Sequence, residues 1–537
     1  MDFRPRAAFY IHTGARATIY IICMSKSSTE KFQSKGGFIL ASIGAAVGLG
    51  NALRFPGLCA KYGGGAFLFI YFIALIVLGL PILNAEIALG RRVKGGAPKC
   101  MRSLLKEPRA KKAEHLGWAS CINSVFTALI YAGLAGWIIS AAVTAVPLCI
   151  NAPALTDTEI SGFFFNDILS ARNDGAIDGF SLLVAGCIIV AWVLMFFCLK
   201  GGAASLSKAA KFTVAIPMTL LCALAVRGLL YKNAPEALSA LFIPDFSKLS
   251  SPELWLTALG QVFFSLSIVV GIMPAYGSYL PEGTNIFKCS LVIAAADFLV
   301  SVLASVVLFT TLYGCGLQNE IGASGIITAF AVYPVAITRL FGDCAWLNAV
   351  VGVLFYSSLA MMAIQSAVSM LEAFLNPFAE QRGKLKNRLA AIACLCGAPI
   401  TLIFATTAAP TVVDISDRFI NFYNVLILGI AECLIIGTSK QTGGIVEEIN
   451  RFARKGGERV SLKMPKKAFG VAVKFLCPTV LAGLTLYEII RLITTGLGYP
   501  LWLQIGFGWG LSAAVFALPF VFLREKVGRV SIKSAQN

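Results

Sequence analysis

The chain has 537 residues, 57% hydrophobic and 13% charged, with a formal net charge of +18 and a mean hydropathy of +0.79. This balance excludes an ordinary soluble globular domain, in which about a quarter of residues are charged. In a soluble protein the basic excess would suit nucleic acid. Here it sits in alternate loops between apolar runs, which makes it a determinant of membrane orientation and leaves no nucleic-acid partner expected.

Apolar runs of about 20 residues, enough for a helix to cross roughly 30 Å of hydrocarbon, recur along the chain. Twelve spans are predicted, at 37–60, 66–90, 117–148, 180–199, 209–231, 254–280, 286–316, 344–375, 388–407, 411–438, 467–495 and 500–523. The loop after span two carries Arg91, Arg92, Lys94, Lys99, Arg102 and Lys106, and the loop after span ten carries Arg451, Arg454, Lys455 and Arg459. Lys200, Lys208, Lys386 and Arg388 share that parity, whereas Asp157, Glu159 and Asp167 lie in an opposite loop. The positive-inside rule therefore predicts cytoplasmic termini and an even number of spans in the cell (inner) membrane. The basic loops are also expected to meet anionic lipid headgroups.

The stretch before Met24 has basic residues and a short apolar tail but no evident small-residue cleavage site. It is read as part of a cytoplasmic extension, residues 1–36, rather than a signal peptide. Met24-Ser25-Lys26 would serve as an alternative start to the polar lead-in. The fifteen cysteines are scattered without a metal or disulfide spacing, and His12 and His115 lie outside the spans. No acid-base or nucleophile constellation points to an enzyme.

The first span contains "GAAVGLGNALRFPG", from Gly44 to Gly57. Gly44 and Gly48 suit close helix packing, but Asn51 and Arg54 do not, because an intramembrane charge needs water or a partner. A helix break near Ala46 to Leu49 would expose carbonyls to a cation and N–H groups to an anion. Five spans later, "GQVFFSLSIVVGIMPAYGSY" places Gln261, Ser265, Ser267, Gly271 and Pro274 in another apolar run. Interrupted helices at corresponding positions in two halves mark a transporter's ion and substrate site. Spans one to five (37–231) and six to ten (254–438) then form inverted repeats, with spans eleven and twelve (467–523) peripheral and 524–537 a cytoplasmic tail. Discrete polar clusters at two breaks, without a repeated filter, argue against a channel.

The segments "GFILASIGAAVGLGNALRFP", "GGGAFLFIYFIALIVLGLPILNAEIALG" and "GQVFFSLSIVVG" closely resemble the signatures of the sodium-coupled neurotransmitter and amino-acid symporters, a family with bacterial members. The resemblance covers spans one to ten in order. It implies an all-α polytopic fold with an inverted five-plus-five repeat, broken helices one and six, and import by alternating access. The first sodium would be held by the Ala46 carbonyl and the side chains of Asn51, Ser265 and Asp297. Chloride-dependent relatives usually carry a neutral asparagine at the position of Asp297, so its fixed charge implies no chloride requirement. A second sodium would use the Gly44 and Val47 carbonyls with Ser358 of span eight. Leu359 then stands where relatives carry a second hydroxyl, unless a bulge brings Ser357 and Ser358 into register. One or two sodium ions are therefore expected, and proton coupling through Asp297 stays open.

For the substrate, the resemblance aligns the Tyr131 hydroxyl and the Leu49 and Gly50 N–H groups with its carboxylate. Gly48 replaces the aspartate of monoamine carriers and leaves room for an α-amino acid. Thr127, Phe264, Ser267, Val270, Leu359 and Ala363 would line the side-chain pocket, which suits a hydrophobic amino acid. Arg54 and Asp417 are expected to close the outer gate, with Gln261 and Phe264 completing the lid and Asp414 as the rival acid. At the inner gate the usual pair is replaced by Thr29 and Ala373, so Lys31 or Lys35 with Glu372 is expected to substitute, with Tyr279 beside them. Val269 likewise replaces a glycine usual in the sixth span. The altered inner gate keeps a non-transporting amino-acid sensor as an alternative, and the fold leaves room for a homodimer in the bilayer.

Overall fold

The computed structural model describes residues 31–172, 175–320, 324–379, 383–453 and 463–524. The expectations for Met24 and Thr29, for Arg454, Lys455 and Arg459, and for the tail beyond 524 lie outside these residues. Apart from two isolated bridges, Gly64 with Pro244 and Phe180 with Thr406, the regular structure among the described residues is helical. Helices satisfy their backbone polar groups internally, which is what hydrocarbon demands of a spanning segment.

Ten helices among the described residues are long and apolar enough to cross a membrane, and a pair bent by 52° forms an eleventh candidate. That pair is α1 (Lys35–Ala46) and α2 (Gly50–Lys61). Ser34 caps α1, its hydroxyl accepting the Gly37 N–H at 3.0 Å. Next come α3 (Gly65–Val93), the short α4 (Ala97–Leu104), α5 (Arg109–Asn151), α6 (Leu182–Leu199) and α7 (Gly202–Leu229). The stretch assigned to a sixth span consists of α8 (Pro252–Ser265) and α9 (Ile272–Ser278), separated by 266–271. The chain continues through α10 (Ile286–Gly314), α11 (Gly325–Arg339), α12 (Ala345–Ala379) and α13 (Lys386–Ala405). It ends with α14 (Ala409–Thr438), α15 (Thr442–Asn450), α16 (Lys466–Thr495) and α17 (Leu501–Leu523). This is a multi-pass α-helical membrane protein.

Burial separates the centre from the periphery. The most apolar part of α3 is 72% buried within the protein, against 17% for α17, so α3 belongs to the interior and α17 turns most of its surface to lipid. Several helices that apolar length did not predict, α4, α11 and α15 among them, are short. In α4, Cys100, Met101 and Leu104 are buried while Lys99 and Arg102 are exposed, an amphipathic pattern rather than a spanning one.

Two glycines let α3 and α9 touch backbone to backbone. A Cβ at Gly90 would lie 2.0 Å from the Pro274 carbonyl oxygen, and one at Gly277 would lie 2.4 Å from that of Ile87. This crossing anchors the helix that follows the second break. The longer helices α5 and α12 pack along each other beside both breaks.

Candidate functional site

At the first break Val47 turns extended, with ψ of 99°. Asn51 bridges the gap, its Oδ1 accepting the Gly48 N–H at 3.1 Å. At the second break Ser267, Val269 and Gly271 all have positive φ, at 50°, 73° and 78°. For an L-residue this conformation costs roughly 1–2 kcal/mol, and a β-branched valine tolerates it poorly. Side-chain hydrogen bonds with neighbouring helices hold the segment in place. The Val269 N–H donates to Glu86 Oε1 at 2.6 Å, and Ser267 Oγ donates to the Ala45 carbonyl at 2.9 Å, tying the two breaks together. Glu86 has no task among the residues expected from the sequence. An acid in so apolar a run was the available signal.

The breaks bring a dense oxygen cluster around one atom. Asn51 Nδ2 lies 2.7 Å from Asp297 Oδ1, 2.8 Å from Ser301 Oγ, 2.9 Å from Ser265 Oγ and 3.4 Å from the Asp297 carbonyl. A carboxamide has two N–H groups and cannot satisfy four acceptors. Asp297 also accepts from Ser265 Oγ at 2.6 Å and from the Tyr71 hydroxyl at 2.9 Å. Asn51, Ser265, Asp297 and Ser301 are all buried. The arrangement has a cation site's chemistry: hard oxygens, one negative charge and little water. Sequence reasoning missed Tyr71 and Ser301, which only the packing of α3 and α10 brings in.

Beside this cluster lies a cavity of about 30 Å³. Ala46, Gly48, Gly50 and Asn51 border it from the first break, and Phe264, Ser265, Ser267 and Val270 from the second. Thr127 and Tyr131 border it from α5, Asn421 and Val425 from α14. From α12 it is bordered by Ser366 and Met370. The expected α12 residues Leu359 and Ala363 are buried elsewhere, and Ser358 Oγ donates to the Phe355 carbonyl at 2.7 Å. The observed pair lies seven residues further along, about 10 Å down the axis on nearly the same helix face. Ser366 Oγ is buried without a hydrogen-bond partner. A Cβ at Gly48 would come within 2.8 Å of it, and a Cβ at Gly44 within 2.8 Å of Gln365 Cγ.

A family model described as the sodium:neurotransmitter symporter family matches residues 29–151 and 150–527. The chain belongs to this family. An uncharacterized sodium-dependent transporter of Methanocaldococcus jannaschii is 29% identical over 94% of the chain and 99% of its own length. The sodium-dependent serotonin transporter of Drosophila melanogaster is 26% identical over 94% and 84%. The sodium-dependent neutral amino acid transporter B(0)AT3 of Mus musculus is 25% identical over 88% and 86%. Membership in this symporter family makes the chain a transport protein rather than an enzyme.

The residues expected at the two gates are arranged differently. Arg54 lies over the Phe264 ring, 5.2 Å from its centroid. Asp417 Oδ1 accepts from Asn421 Nδ2 at 2.8 Å, and the described ion pairs do not include Arg54 with Asp417. The rival acid Asp414 is engaged by the Tyr499 hydroxyl. Gln261 is buried with neither side-chain amide atom hydrogen-bonded. Of the residues expected at the inner gate, Glu372 pairs with Lys386 at 2.6 Å, and both are almost fully buried. The Tyr279 hydroxyl donates to the same Glu372 oxygen at 2.7 Å. The pairing expected from Lys31 or Lys35 is thus made by Lys386, while Lys31 lies 3.7 Å from Glu282 at the surface.

Proposed function

We propose that this protein is a sodium-coupled symporter that imports an amino acid by alternating access. The observation that carries the reading is the crowding of four oxygens around Asn51 Nδ2 between two broken helices. A sodium ion entering there would take the place of the Asn51 N–H donors among these oxygens. Asn51 would then turn its carbonyl oxygen toward the ion, joining Ser265, Asp297 and the Ala46 carbonyl. The carboxylate of an amino acid would sit between this ion, the Leu49 and Gly50 N–H groups and the Tyr131 hydroxyl, above the space left by Gly48.

Asp297 supplies a fixed negative charge to the site, so chloride is not required. The second ion takes the Gly44 and Val47 carbonyls together with Ser366, whose partnerless buried hydroxyl replaces Ser358 in this role. Arg54 and Asp417 close the outer gate once the cargo draws them together, with Gln261 and Phe264 as the lid. The twelve spans form the inverted five-plus-five repeat, with both termini in the cytoplasm of the cell membrane.

Uptake of a labelled amino-acid panel into proteoliposomes, with an inward sodium gradient compared against a proton gradient, tests this function. Uptake driven by sodium in the absence of chloride is expected. Uptake that follows the proton gradient and ignores sodium would refute the coupling, and tight binding without flux would make the protein a sensor.

A further inference from the structure

The cavity wall where α5 meets α14 is polar. Thr127 Oγ1 lies 2.5 Å from Asn421 Oδ1 and 3.0 Å from the Asn123 carbonyl. Asn421 Nδ2 donates to Asp417 Oδ1 at 2.8 Å. Behind them, Asn424 Nδ2 donates to Asn123 Oδ1 at 3.1 Å, and Asn123 Nδ2 to the Ile420 carbonyl at 3.1 Å. Thr127 and Asn421 both border the cavity and are otherwise buried.

The hydrogen-bonding capacity of this wall is not used up. A carboxamide has two N–H donors and two acceptor positions, and a hydroxyl has one donor and two. Asn421 commits one N–H to Asp417 and one acceptor position to Thr127, which leaves it one donor and one acceptor. Thr127 keeps lone-pair capacity after giving up its proton. Asn123 and Asn424 hold the pair in place, so these uncommitted groups have a fixed position at the cavity edge.

We propose that Thr127 and Asn421 read a hydrogen-bonding side chain on the cargo, so that the symporter carries neutral amino acids bearing a hydroxyl or carboxamide. The inference rests on the symporter function proposed above and names its substrate class. A site built to hydrogen-bond its substrate rejects the analogue that lacks the group, because the site's own buried polar atoms are then left unpaired. The hydrophobic cargo expected from sequence rested partly on Leu359 and Ala363, which lie away from the cavity. The arrangement also links recognition to gating, because the amide that would meet the cargo holds the outer-gate acid one helical turn away.

Threonine and valine are the discriminating pair, being nearly equal in shape and different in one hydroxyl. In proteoliposome uptake driven by an inward sodium gradient, threonine, serine or asparagine should compete at least tenfold better than valine, leucine or alanine. Thr127→Val and Asn421→Leu should each erase most of the threonine-to-valine preference. A monodisperse elution profile and an unchanged thermal midpoint in detergent would report that these variants remain folded. A wild-type preference for valine, leucine or alanine, or an unchanged ratio in Thr127→Val, would overturn the inference while leaving the symporter intact. Failure of every amino acid to bind or enter with sodium would instead overturn the symporter reading itself.

Discussion

Lys386 Nζ lies 2.6 Å from Glu372 Oε1, with side-chain exposures of 1% and 0%. The two residues stand on either side of the connection between α12 and α13, and the Tyr279 hydroxyl of the segment ending α9 joins them. In the proposed alternating-access cycle this cluster would have to part or meet water. A buried pair with one partner removed leaves an uncompensated charge, at a cost of roughly 3–5 kcal/mol. Lys386→Met is therefore expected to lower the thermal midpoint of the purified protein, and adding Glu372→Gln to restore much of it. Melting curves in detergent check this; no loss in the single variant would mean that the pair contributes nothing.

The fixed charge at the ion cluster makes a separate prediction. Asp297 receives Asn51, Ser265 and Tyr71 as donors, so Asp297→Asn removes the charge while keeping the shape. Sodium-driven uptake without chloride should fall at least tenfold, and added chloride should restore part of it. Normal chloride-free uptake by this variant would show that the charge is not needed.

The face that α12 presents can be tested through two serines. Ser366 Oγ borders the cavity without a partner, whereas Ser358 Oγ is bonded to its own helix. Ser366→Ala should weaken sodium activation several-fold and flatten its cooperativity. Ser358→Ala should change neither. A reversed pattern in sodium-titrated uptake would restore the register expected from sequence.

Tyr131 borders the cavity from α5. A hydrogen bond to a charged group contributes about 1.5–3 kcal/mol, which corresponds to roughly 10- to 150-fold in affinity. Tyr131→Phe should weaken cargo binding by that order with little change in thermal stability. Equal affinity in a radioligand binding assay would remove the tyrosine from carboxylate recognition.

The sequence by itself determined the membrane class, the positions of the long apolar helices and the interruption of the first. These properties are local: a run of apolar residues sets a helix's length, and glycine, amide and arginine within it mark where the helix is poor. Val269 stood out only through the resemblance, as a replacement for a usual glycine, and the structure added its positive φ of 73°. The tertiary structure decided which faces meet. Ser366 rather than Leu359 reaches the cavity because positions seven residues apart share a helix face, and only packing against α5 sets the depth at which α12 contributes. Lys386 rather than Lys31 meets Glu372 because ion pairs follow distance through space, which charge order along the chain does not encode. The polar wall of Thr127 and Asn421 exists only where α5 and α14 come together, nearly three hundred positions apart in sequence. Neither residue alone announces a binding surface, since its hydrogen-bonding groups acquire a fixed direction only when the neighbouring helix is in place.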